Sequence, residues 1–136
     1  MRYLLAVATM AILSATSLAA DWPQFRGPTG NGISTEKNLP IEWNESKNIA
    51  WNQEIPGKGW SSPSLFHGRL YLTTAVLADD KLSQRALCLN AADGKMIWDI
   101  EVFSQDAASA PKIHGKNSDA SPTPLVESGK VYVHFG

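Results

Sequence analysis

The chain has 136 residues, of which 43% are hydrophobic and 18% charged, with a formal net charge of −1. That length suits one small domain, and the composition is that of an ordinary globular chain. The near-zero charge leaves no basic field to attract nucleic acid or anionic lipid, so nucleic-acid partners are excluded.

In chain order, residues 1–19 come first. Arg2 is followed by an apolar run from Tyr3 to Leu13, and Ser17 and Ala19 stand at the −3 and −1 positions that a signal peptidase needs. Cleavage is expected after Ala19. The run is shorter than the ~20 residues of a comfortable span, so no membrane span is expected after cleavage. Export to the periplasm or the medium follows. Cys88 is the only cysteine. No disulfide can form within the chain, and a buried thiol on a strand is the expectation.

Residues 20–47 are a lead-in segment that opens with "DWPQFRGPTGNG" (21–32). Gly27, Gly30 and Gly32 suggest a phosphate-cradling loop. However, no Gly-Lys-Ser/Thr follows, neither a strand nor a helix flanks them, and Pro28 removes one backbone donor. The expected role is an ordered lead-in, with Trp22 and Phe25 packing on the fold and the glycines letting the chain bend.

From residue 48 onward the pattern is short alternating runs bounded by Gly, Pro, Asn and Asp. Strands are expected at 48–55, 63–66, 69–76, 85–91, 95–102, 122–127 and 130–136. Tight turns carrying Gly68, Gly94 and Gly129 separate the paired runs. This reads as an antiparallel all-β meander. The runs also repeat. Ser62-Pro63 matches Ser121-Pro122, Gly68 and Tyr71 match Gly129 and Tyr132, and Trp51 matches Trp98. A repeat of this length falls in or just above the range of propeller blades. One four-stranded blade spans 61–103, a loop spans 104–120, and a partial second blade spans 121–136. About one and a half blades are present. Residues 48–55 are expected to be the outer strand of a closing blade, and the chain is expected to be an N-terminal piece of a longer one.

The stretch "ALCLNAADGKMIWD" carries a resemblance. Its alternating strand, followed by Asp93-Gly94-Lys95 and then Trp98, resembles the PQQ repeat of quinoprotein-like, WD40-like β-propellers. The lead-in resembles the start of exported bacterial proteins with this propeller. The resemblance implies four-stranded antiparallel blades with Trp98 between neighbours and Lys95 facing water. It implies an exported, non-catalytic binding scaffold whose partners are envelope or extracellular proteins or small ligands. The lipidated cysteine of the family's envelope lipoproteins is absent. The alternative is an oxidoreductase dependent on pyrroloquinoline quinone (PQQ) with Ca²⁺, its catalytic residues in further blades. No catalytic, metal or cofactor residue is assigned in this chain. Asp79-Asp80 read as a solvated hairpin loop. Trp60 reads as packing, and Ser61, Ser62 and Ser64 as strand starts without a nucleophile elbow. His67, His114 and His134 have no ligand spacing. Asn44-Glu45-Ser46 is a formal glycosylation sequon and reads as a coincidence on an exposed loop.

Overall fold

A computed structural model describes residues 20–136, so the expected signal segment lies outside the described residues. Among the described residues the fold is all-β, with no helix. Strands β1 (Ser64–Phe66), β2 (Arg69–Ala78), β3 (Lys81–Asn90) and β4 (Met96–Asp106) form one antiparallel sheet in chain order. Strands β5 (Leu125–Glu127) and β6 (Lys130–Tyr132) pair as a second, two-stranded sheet.

Local chemistry explains these elements. "RLYLTTAV" alternates side chains across the sheet, and its β-branched and aromatic residues fit a pleated surface. His67-Gly68 and Asp79-Asp80 both turn with φ positive at the two central positions, as a mirror-image two-residue hairpin requires. The second of these turns brings "KLSQ" (81–84) into β3, so that strand starts earlier than its sequence suggests. β4 likewise runs on to Asp106. β5 begins only at Leu125, because Pro122 and Pro124 lack a ladder donor. β6 ends at Tyr132, which leaves His134 outside any strand.

Tyr71, Cys88 and Trp98 form one cross-strand row, through the pairs Tyr71↔Cys88 and Cys88↔Trp98. Tyr71 and Cys88 cluster with Val126, while Phe66, Trp98 and Val131 pack around them. One face of the four-stranded sheet therefore carries the β5–β6 hairpin. Leu87 and Cys88 point to opposite faces, yet both are 0% exposed. Both sides of the central strand are covered.

The lead-in segment clasps the two sheets together. Trp22 pairs antiparallel with Leu65, the Leu65 carbonyl accepting the Trp22 N–H at 2.7 Å. The next carbonyl, of Pro23, accepts the Val126 N–H at 2.8 Å. Asp21 Oδ1 accepts the His67 N–H at 2.8 Å. Gly27 has φ of +75°, and a side chain there would run into the Trp22 ring. The glycines thus fold the chain back over Trp22. Phe25 does not pack as expected. It is 59% exposed, with the Arg26 guanidinium 5.3 Å from its ring centre.

No strand forms over residues 48–55 among the described residues. Their backbone has no neighbouring strand to pair with, and the segment is held by one side chain instead. The Trp51 indole N–H donates to the Ala91 carbonyl at 3.0 Å, and its ring lies against Gly94. Beyond it, Lys58 pairs with Ala75 on the edge of β2 that the short β1 leaves free.

Candidate functional site

The two Ser-Pro segments lie side by side. Ser64 Oγ donates to the Pro124 carbonyl at 2.6 Å, and Thr73 Oγ1 donates to the Pro122 carbonyl at 3.2 Å. The Ser62 N–H donates to Thr123 Oγ1, while the Trp60 and Ser61 N–H groups both donate to the Ala120 carbonyl. Ser121 Oγ donates to Asn117 Oδ1 and accepts the Ser118 N–H at 3.0 Å, closing the turn before its proline. Each such bond contributes about 1 kcal/mol net. Together they fix the loop 107–120 and the Trp60 segment against the end of the sheet.

That seam frames a groove of about 690 Å³ beside the β2–β3 hairpin, lined by Lys58, Trp60, Leu77, Leu82, Ile113 and Asp119. Trp60 is 58% exposed, so its indole stands at the rim as an open flat surface. Leu77, Leu82 and Ile113 give an aliphatic floor that continues into an adjoining hollow towards Ala110 and Lys112. The volume lies in the range of small-ligand sites, and the lining mixes these apolar side chains with Lys58, Asn117, Ser118 and Asp119. Trp60 does not pack as the sequence suggests. No motif marks it, because its exposure depends on where loop 107–120 settles.

A second cavity, of about 430 Å³, lies between the start of β2 and the β5–β6 turn. Arg69, Tyr71, Trp98 and Lys130 are among its lining residues. The Tyr71 and Trp98 rings are 6.0 Å apart and tilted by 53°. Burial pushes the Tyr71 hydroxyl and the Cys88 thiol above their ordinary pKa values, with Arg69 opposing in both cases.

The remaining repeat-motif residues are placed as structure. Pro63 precedes β1, and Gly68 and Gly129 sit in the hairpin turns. Asp93 Oδ1 accepts the Lys95 N–H at 3.1 Å, which holds the Asp93 carboxyl below its usual range; the Lys95 side chain is 81% exposed. Tyr132 is on β6, its hydroxyl 3.5 Å from Glu127 Oε2. Arg85 bridges β3 to β4 through Asp99 at 2.7 Å and Glu101 at 3.8 Å, a cross-strand tie.

A seat for PQQ and Ca²⁺ needs several converging oxygen ligands. Asp79 and Asp80 form a hairpin tip, and no three of His, Cys, Asp and Glu converge among the described residues. The described residues therefore do not fit that pair. No family model matches the chain, and neither a curated protein nor a solved structure matches it.

Proposed function

We propose that the chain carries repeats of an exported PQQ-like β-propeller and acts as a non-catalytic binding scaffold, presenting loop surfaces to an envelope or extracellular partner or a small ligand. The four-stranded meander supports the reading, as does the hairpin beside it whose Ser-Pro start is bonded to the first. The observation that carries the functional part is the groove at Trp60, a preformed, largely apolar hollow with an open aromatic rim. The test is a calorimetric and absorbance titration of the full chain with PQQ and Ca²⁺. The expected result is no saturable binding at high micromolar quinone. Saturable, calcium-dependent binding would replace the scaffold with a quinone-dependent oxidoreductase.

A further inference from the structure

The second cavity has different chemistry from the groove and stands apart from it. We propose that it binds a small aromatic carboxylate, the ring lying on Trp98 and Tyr71 and the carboxylate held by Arg69 and Lys130. Charge is the first observation. The cavity is lined by two permanent cations, Arg69 on β2 and Lys130 on β6, and by His67 in the β1–β2 turn. Against them stands one lining carboxylate, Glu127, so the two cations leave the lining with one excess positive charge; Asp21, outside the lining, faces His67 at 3.6 Å.

The second observation is that Arg69 has no ion-pair partner among the described residues, although Arg85 finds two on the same sheet. Its planar fork lies beside the Tyr71 hydroxyl but has no carboxylate, so it can take one with two parallel bonds, a geometry a lysine cannot offer. The third is the aromatic lining. Phe66, Tyr71 and Trp98 line the same cavity and give it an aromatic surface. A bare inorganic anion would leave that surface empty, and a neutral ring would leave the cations unmatched. Only a ligand with both parts uses the whole surface, and about 430 Å³ has room for one ring with a short acid arm.

Calorimetry on the full chain with benzoate, benzamide and inorganic phosphate tests this. Benzoate is expected to bind saturably. Benzamide, the same ring without the charge, should bind about tenfold more weakly, the loss of one charge-assisted hydrogen-bond pair. Arg69→Met should cost benzoate a similar factor, and Lys130→Met a smaller one. Both side chains are exposed at the cavity rim, so circular dichroism should remain native in each variant. Three results would overturn the proposal: no saturable benzoate binding, benzamide or phosphate binding as tightly as benzoate, or unchanged benzoate affinity in folded Arg69→Met.

Discussion

Trp51 and Gly94 are far apart in sequence and meet face to face. The indole covers the turn between β3 and β4, and that turn has room for it only because residue 94 has no Cβ. Its φ of +72° adds a second reason for glycine. Gly94→Ala should therefore destabilise by about 2 kcal/mol or more, combining backbone strain with displacement of the ring. Trp51→Phe keeps a ring but loses the hydrogen bond to Ala91, and should cost about 1 kcal/mol. Urea unfolding of the two variants measures both. Cys88 and Tyr71 give a pH signature. Burial keeps both protonated beyond their ordinary values of 9.0 and 10.0, so the unfolded chain releases those protons first. Their contribution is fully present below about 9 and is lost as pH rises through the folded values. Denaturant midpoints should fall across that alkaline range, and Cys88→Ala should flatten the start of the fall. Asp93 works in the opposite sense. Its folded pKa is lowered, so what it adds is present above 3.8 and lost as pH falls below it.

At the scale of elements, hairpins were legible because their evidence is local. "HG", "ADG" and "SG" sit between alternating runs, and each became a turn between antiparallel strands. The failures have local causes too. "NIAWNQEI" alternates like a strand, but a strand needs a neighbour, and Trp51 anchors the segment through a side chain. "KLSQ" lacks β-branched residues, and its strand follows from the Asp79-Asp80 turn, which places it opposite Ala75–Ala78. The two edges of the sheet also differ. β1 is paired by Trp22 on its outer side. β4 has no strand on its outer side among the described residues, and Ile97, Ile100 and Phe103 on it are exposed. A long edge with apolar side chains is a template for pairing. Self-association that rises with protein concentration is expected, and Ile100→Lys should reduce it in sedimentation velocity runs. Unchanged association in that variant would move the contact away from β4.

For the whole molecule, the all-β class and a buried Cys88 on a strand were legible in the sequence, whereas the row that joins Cys88 to Tyr71 and Trp98, and both concavities, were not. Core positions announce themselves by period and residue type, as the buried "ALCL" of β3 does. Trp60, Ile113 and Arg69 have no such signature. Each becomes part of a surface hollow only after Trp22, Trp51 and the Ser-Pro seam have fixed the segments around the sheet. The groove is thus a product of long-range closure. The proposed scaffold role rests on that groove as its presented surface. Assigned amide and indole NMR spectra of the full chain would be followed during a screen of small apolar and aromatic fragments. Hits are expected to shift Lys58, Trp60, Leu77 and Ile113 together, and Trp60→Ala is expected to remove those shifts while the sheet resonances stay in place. Fragments that bind elsewhere, or that shift the same residues equally in Trp60→Ala, would contradict it.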